Sequence, residues 1–592
     1  MQFGVQLWVR RIKITAITWA AVFAACVLGL CGLFIYSVLP SFDNELLFTN
    51  GTVLTIEYGE AEALLVRDGK IVAVGNEAEV AAKASSSAEQ FDLNGGTLMP
   101  GLVEPHTHPI ATALLSATVD VSGFSHSNRE QVMNTLRDAA EGFSPNGWVI
   151  AFGWDPVMVP DLTAPTLAEL DQLSPDKPLL ILTQMMHDAY ANSAALAAAG
   201  IDRYTPNPVG GEFLRDSAGN LNGTVREVSA INRLFAGVPK PPAMAVGLMT
   251  QRQLQHYASA GYTSIGVLGP VGRSESPLQL LDDLLNHDAA PLRARTWALP
   301  EQLAVDSKPY SNDRYGLRGV KFWMDGSPFA GGAAWEQPYE NSKLVLERLD
   351  LPKFHSPKLH LEREAFQQQF VDYHQRGFAI AIHAQGERAI DEALNVAEAA
   401  LRQHPRKDHG HRLEHNALIT PQQIARAKRL GFALSFFVDH VWFYGHRLPE
   451  LIGNRTFRYM PLREARKQGS RISLHGDHPA TPIKPFRSLK TAVTRSMRLA
   501  EGKLAPRQAL TVEDGLRAMT IDAAWQLGME QQIGSLVEGK QADLVWLDHN
   551  PLVVDPSELD QIKVKATWLA GNQVDTGFFS QRNVGVFLRQ LF

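Results

Sequence analysis

Cysteine is almost absent from this chain: 592 residues contain two, Cys26 and Cys31. Both lie in one apolar run near the start, so the body that follows has neither disulfides nor thiolate metal ligands to offer. Any metal held there needs histidine, carboxylate or a lysine-derived oxygen. An excess of one charge is missing too. The formal net charge is −6 with both signs interspersed, and no basic stripe of the kind that binds phosphate backbones is present, which excludes nucleic-acid partners. Long runs that are both uncharged and predominantly apolar are absent with one exception, Ile14 to Leu39.

That exception is long enough to cross a bilayer as a helix, since about 20 apolar residues suffice. Arg10, Arg11 and Lys13 precede it and would hold that end in the cytoplasm. The run predicts a cytoplasmic stub and a single transmembrane anchor within residues 1–42, with the rest of the chain on the outer, extracytoplasmic side. A cleaved signal peptide is the rival reading, but no small-x-small site closes the run. The lipoprotein-like Phe23-Ala24-Ala25-Cys26 is followed by more apolar sequence. The tail at 578–592 ends in the apolar VGVFLRQLF, predicted to pack on the protein's own β-domain rather than on a membrane surface.

The length exceeds what one ordinary core serves, so several domains are expected. Glu45 to Asp92 reads as short strands, with Asn50-Gly51 and Asp68-Gly69 as hairpin turns. IGSLVEGKQADLVWLDHNPL and VKATWLAGNQV near the end have the same character. One β-sandwich assembled from 43–95 and 530–577 is the reading, with 96–529 inserted between. The middle alternates strands and helices, as a (β/α)8 TIM barrel does. Its strands are expected at Leu98–His108, Thr263–Val267, Arg295–Leu299, Val320–Met324, Ala379–His383, His411–His415, Ala433–Phe436 and Arg471–Gly476. The interval at about 110–259 is far too long for one βα connection and predicts a subdomain over the barrel mouth.

The stretch LMPGLVEPHTH organises the chemistry. Alternate residues of a strand share a face, so His106 and His108 can grip one ion from the strand end. Further polar residues stand at later strand ends, where barrel catalytic groups sit: Lys321 on the fourth, His383 on the fifth, His415 on the sixth and Asp477 after the eighth. Polar groups on apolar strands need a reason, because burying them unpaired costs several kcal/mol (roughly 2–7).

With GWDP, HDAYANSAALAAAGI, VKFWMDGS, HAQGERAID, RLEHN, HGDHP and IGSLVEGKQADLVWLD in view, the chain resembles the amidohydrolase superfamily, in its YtcJ-like branch that includes N-substituted formamide deformylases. The resemblance spans about 46–574. It implies a first metal on His106, His108 and Asp477, a second on His383 and His415, and Lys321 carboxylated on Nζ to bridge them. Zinc is the expected ion, two of them if the bridge forms. Asp477 would be the catalytic residue that moves the proton. His187, Glu227, Asp325 and Arg388 fall in matched stretches and are expected around the substrate pocket, Asp325 and Arg388 to orient ligands or substrate. Each has a plainer role open to it: Lys321 can pair with Asp325 or Glu227, His187 can cap a helix, and Glu227 can meet a surface arginine.

Two stretches depart from the family. Around Asp477 it has small residues, where this chain has His475 and His478; GSPFAGGAAW after Asp325 also differs. Both changes face the substrate, so its identity does not transfer. The function implied is a membrane-anchored, metal-dependent hydrolase cleaving an amide C–N bond of a small molecule. Ester, lactone or carbamate hydrolysis on the same site, or an inactive binding protein that kept the fold, stay open. A homo-oligomer is compatible with all of these readings.

Overall fold

The computed structural model describes residues 45–577, apart from 145, 209, 273 and 275, together with 25–29 and 32. At its centre eight parallel strands neighbour one another in chain order: β1 (Leu102–Thr107), β2 (Tyr262–Leu268), β3 (Arg293–Ala298), β4 (Tyr315–Trp323), β5 (Ala379–Ala384), β6 (Arg412–His415), β7 (Ala433–Phe436) and β8 (Ile472–Leu474). Seven of these overlap the strands expected from sequence; the remaining one, expected at Leu98–His108, is divided, since Thr97–Pro100 belongs to the sandwich and only Leu102–Thr107 to the barrel. No ladder joins β8 to β1, but the gap is bridged. Gly476 N–H donates to Glu104 Oε2 (3.2 Å) and His108 N–H to the His478 carbonyl (3.1 Å). The result is a nearly closed barrel.

Helices pack on the outer face of these strands and side chains fill the barrel interior, which is why β1, β2, β3 and β5 are buried along their whole length. The helix Glu387–Gln403 after β5 is representative. Ala389, Ile390, Ala393, Leu394, Ala397 and Ala400 recur at helical spacing and form its buried stripe. Packing that stripe on the barrel fixes the C-terminal end of β5, and with it His383.

Between β1 and β2 the chain builds a second sheet of six strands, in the order Glu212–Arg215, Leu221–Arg226, Asp188–Ala191, Leu179–Thr183, Val149–Trp154 and Val119–Asp120. It has its own apolar clusters, one around Leu180, Phe213 and Leu234 and another around Val121, Leu136 and Ile181.

The chain ends meet in two further sheets. One orders Lys70–Gly75, Ala63–Arg67, Leu46–Thr49 and Glu89–Asp92; the other joins Asn572–Gln573, Val564–Leu569 and Leu544–Leu547 to Thr97–Pro100, Thr52–Leu54 and Glu60–Ala61. Asp68-Gly69 is the two-residue hairpin turn expected, both residues having positive φ (51° and 72°). Asn50-Gly51 is not a hairpin. Leu46–Thr49 and Thr52–Leu54 belong to different sheets, each running parallel to a later strand, so this turn hands the chain across the sandwich.

A single residue, Gly101, separates the sandwich strand Thr97–Pro100 from β1. A Cβ there would stand 2.1 Å from Thr263 Cγ2, so only glycine lets the chain pass this close to β2. Its N–H donates to the Asp543 carbonyl (2.9 Å). The same Asp543 clamps the barrel through its side chain: Arg293 of β3 reaches it with Nε (2.7 Å) and Nη2 (3.0 Å), both partners being buried.

The expected anchor and extracytoplasmic location are corrected. Among the described residues no helix is long and apolar enough to cross a membrane. Of the run Ile14 to Leu39, only 25–29 and 32 are described, as exposed helix, and its remainder lies outside the described residues. The tail at 578–592 lies outside them as well.

The Arg293–Asp543 clamp yields a stability test. Asp543→Ala leaves a buried guanidinium without its carboxylate and is expected to cost about 3–5 kcal/mol, read as a lowered urea midpoint. Arg293→Met combined with Asp543→Leu should recover most of that loss, because no buried charge is then left unpaired.

Candidate metal centre

His106 is the penultimate residue of β1, and His108 follows directly as the cap of the helix Pro109–Leu115. Lys321 lies on β4 opposite Ala381 of β5, and His383 near the end of β5 lies opposite Glu414 of β6. His415 closes β6 in a left-handed conformation (φ 73°), as does Asp477 just past β8 (φ 49°). That conformation costs a non-glycine residue roughly 1–2 kcal/mol and marks a site where position outweighs backbone comfort. All six groups expected to hold metal are thereby brought to one end of the barrel.

The imidazoles contact one another: ring centroids are 5.5 Å apart for His106–His108, 4.8 Å for His106–His415 and 4.4 Å for His383–His415. Asp477 Oδ1 is 3.4 Å from His106 Nε2 and 3.1 Å from His108 Nε2, and its Oδ2 is 3.9 Å from His415 Nδ1. Oδ1 nevertheless makes no aligned hydrogen bond. Proximity without alignment suits atoms aimed at a shared ion rather than at each other.

Behind each ring a partner holds Nδ1. His106 Nδ1–H donates to Glu414 Oε2 (2.7 Å), His108 to the Gly269 carbonyl (3.2 Å) and His383 to Asp325 Oδ1 (3.0 Å). His415 Nδ1 is 3.1 Å from His475 Nε2, and His475 Nδ1 is 2.7 Å from Ser435 Oγ. Donation from His415 through His475 to Ser435 satisfies both contacts. In every case the lone pair is left on Nε2; at His106 and His108 that atom lies beside Asp477, and at His415 the buried Nε2 has no hydrogen-bond partner. A ligating histidine needs this arrangement, its outer nitrogen fixed by a carboxylate or carbonyl.

Electrostatics agree. Burial, followed by neighbouring Lys321 and the other rings, pushes His106 well below its ordinary value, and burial with neighbouring rings does the same to His415. Both are neutral, as ligands must be. Burial alone would raise the Asp477 carboxyl, but His108, His475 and Lys321 hold it well below the usual carboxylate range, so it is ionised. Burial brings Lys321 down to about 8. Its Nζ has no hydrogen-bond partner and sits 5.4 Å from the Trp323 ring. An amine left without an acceptor in a buried site fits a group meant to be modified. The donor set of imidazole nitrogens, one carboxylate and one lysine suits a zinc-type divalent ion.

A second histidine cluster shows what the same residue type looks like when it is only structural. His374, His409 and His411 also pack together, yet their nitrogens meet each other or backbone. His411 Nδ1 accepts from Ile380 N–H (2.9 Å), and His374 and His409 reach the carbonyls of His404 and Leu430 (both 2.8 Å). No lone pair remains for an ion.

The residues expected around the substrate sort differently. His187 lines the cavity at the mouth, its ring 6.0 Å from His383. Glu227 stands behind it, 2.8 Å from its Nδ1. Burial disfavours charge on His187, but Glu227 outweighs it and raises the imidazole's pKa. Asp325 is not a substrate group: besides His383 it accepts from the N–H groups of Gln385, Gly386 and Ala334 (2.9, 2.9 and 3.0 Å), pinning the loop after β5. His475 supports His415 from behind. His478 turns away, its Nδ1 on the Thr481 carbonyl (2.7 Å) and its Nε2 3.3 Å from Glu104. Arg388 is outside the site, held by Ser356 Oγ and the Pro357 carbonyl (2.9 and 2.5 Å). Trp323 lines the cavity, whereas Trp154 and Trp335 are core.

Sequence reasoning missed Glu414, which orients His106, and His440, which lines the mouth beside Phe437. Glu414 stands next to His415 in RLEHN, and a carboxylate on a wholly buried strand was the signal available.

Known proteins place this barrel. The amidohydrolase family profile matches residues 89–575. N-substituted formamide deformylase of Arthrobacter pascens is 28% identical over 547 residues, covering 89% of this chain and 98% of its own. The Bacillus subtilis (strain 168) protein YtcJ is 25% identical, covering 88% and 97%. An uncharacterized metal-dependent hydrolase from Pyrococcus horikoshii OT3 superposes with a TM-score of 0.68 at 23% identity, over 87% of this chain and 99% of that one; it bears on the fold alone. A profile match across most of the sequence shows that this chain belongs to the amidohydrolase family, alongside its YtcJ-like branch, and that it is a hydrolase.

Proposed function

We propose that this protein hydrolyses an amide C–N bond in a small molecule, using two zinc-type ions and a carboxylated Lys321. One observation carries the reading: four imidazoles anchored through Nδ1 are gathered at one end of the barrel, beside an ionised Asp477 and an unpartnered Lys321. His106, His108 and Asp477 would hold one ion, His383 and His415 the other. Bound there, divalent ions supply Lewis acidity, lowering the pKa of water and polarising a carbonyl.

The chain's own groups do the rest. The Lys321 ammonium would first give one proton to solvent; the neutral amine would then add to carbon dioxide, its nitrogen forming the new C–N bond and losing a second proton. A carbamate would thereby replace the buried ammonium and offer oxygens to the ligand sets. Asp477, ionised and open to the cavity along one edge, accepts the proton of the attacking water and returns it to the leaving nitrogen. Glu414 and Asp325 keep His106 and His383 in the required tautomer throughout. The similarity to a deformylase favours an amide as the scissile group.

Asp477→Asn is expected to lower kcat by about 10²–10⁴-fold on an amide substrate, the range for a lost acid–base group. Bound metal, counted by elemental analysis, should fall by less than one ion per chain; wild-type turnover in this variant would remove Asp477 from proton transfer. Lys321→Ala is expected to hold fewer ions and to regain activity with added short carboxylates. Full activity of that variant in bicarbonate-free buffer, without any added carboxylate, would eliminate the carbamate.

A further inference from the structure

The metal centre forms the floor of a cavity of about 860 Å³, near the top of the range that encloses whole drug-sized ligands. Its imidazoles and carboxylate gather at one end, at His106, His108, His187, His383, His415 and Asp477, while Asn146, Asn232 and Lys240 interrupt a wall that is otherwise largely apolar. From there the cavity runs between the barrel and the inserted sheet, and the character of its wall changes. Leu115 comes from the helix after β1, Ile150 and Leu182 from the inserted sheet, and Ile231 and Phe235 from the helix Val228–Phe235. That helix buries Ala230, Ile231 and Leu234 against the inserted sheet's core, which fixes the far wall in place.

A site built only for a formyl or acetyl amide has no use for such an arm. Apolar wall of this extent, open to water, carries a free-energy cost that an apolar ligand removes on binding. The arm is continuous with the reacting end, so its occupant is part of the same molecule that the metal centre attacks. We infer that the substrate is a lipophilic amide, its scissile group at the histidine cluster and a long alkyl or arylalkyl substituent laid along the arm. This rests on the amide reading above and narrows it to a substrate class.

The test uses the full chain and a series of N-alkyl formamides from butyl to dodecyl. Calorimetry on chelator-treated protein reads the arm apart from turnover. Affinity should tighten by about fourfold per added methylene until the arm is full, as expected when each methylene leaves water. Leu115→Trp should flatten that dependence, and Phe235→Ala should move the longest well-bound chain upward; the second variant serves if the first does not fold. The zinc-loaded protein then reports kcat/KM for the same series, which should rise with chain length. Affinity independent of chain length would overturn the inference even if butylformamide were hydrolysed. Steep chain-length dependence with no member hydrolysed would instead sink the amide reading while the apolar arm stood.

Discussion

A buried imidazole has two nitrogens to satisfy, and that requirement governs this molecule. At His106, His108, His383 and His415 the protein satisfies one nitrogen per ring and leaves the other available at the same end of the barrel. Everything around the mouth serves that division. Glu414 and Asp325 hold two rings, the Gly269 carbonyl a third, and the His475–Ser435 relay the fourth. Removing a holder would let the ring rotate, and its lone pair would no longer be kept available there. The His374–His409–His411 cluster, equally buried but closed upon itself and the backbone, shows that abundance of histidine alone makes no site.

The surroundings give the polar floor its strength. Charges and dipoles in a water-poor cavity interact far more strongly than in bulk solvent. The barrel supplies rigid strand ends that aim the ligands; the inserted sheet supplies apolar cover. The two depend on one another, because an open mouth would leave Asp477 solvated and less able to govern a proton.

Much of this was legible beforehand, for identifiable reasons. Barrel strands buried on both faces give short apolar runs, and β2, β5 and β7 stand out as such, whereas β3 and β6 carry charges and are legible from the alternation of strands with helices. His106 and His108 are legible because period-two spacing puts them on one face. Less could be read where the partner is distant in sequence. Glu414 looks like half of a local pair with Arg412, which it also is, and nothing nearby announces that its other oxygen reaches His106 across some three hundred residues. His478 and Arg388 sit in the right stretches but point elsewhere: His478 because a strand-end loop can aim successive side chains in any direction, Arg388 because it stands on the first turn of the helix Glu387–Gln403. Asn50-Gly51 has the sequence of a hairpin, yet its flanking strands find better partners in separate sheets. The uncharged run at 14–39 carried a topological expectation that the described helices do not meet.

Gly101 ties the assembly of the active end to residues far along the chain. The strand Thr97–Pro100 runs on through it into β1; Thr52–Leu54 flanks it on one side and Leu544–Leu547 on the other. During synthesis, therefore, one flank of the strand leading into β1 stays open until residues beyond every proposed ligand have emerged. His106 and His108, the earliest ligands in the chain, thus wait for sequence made after Asp477 before the strand that carries them is braced on both sides.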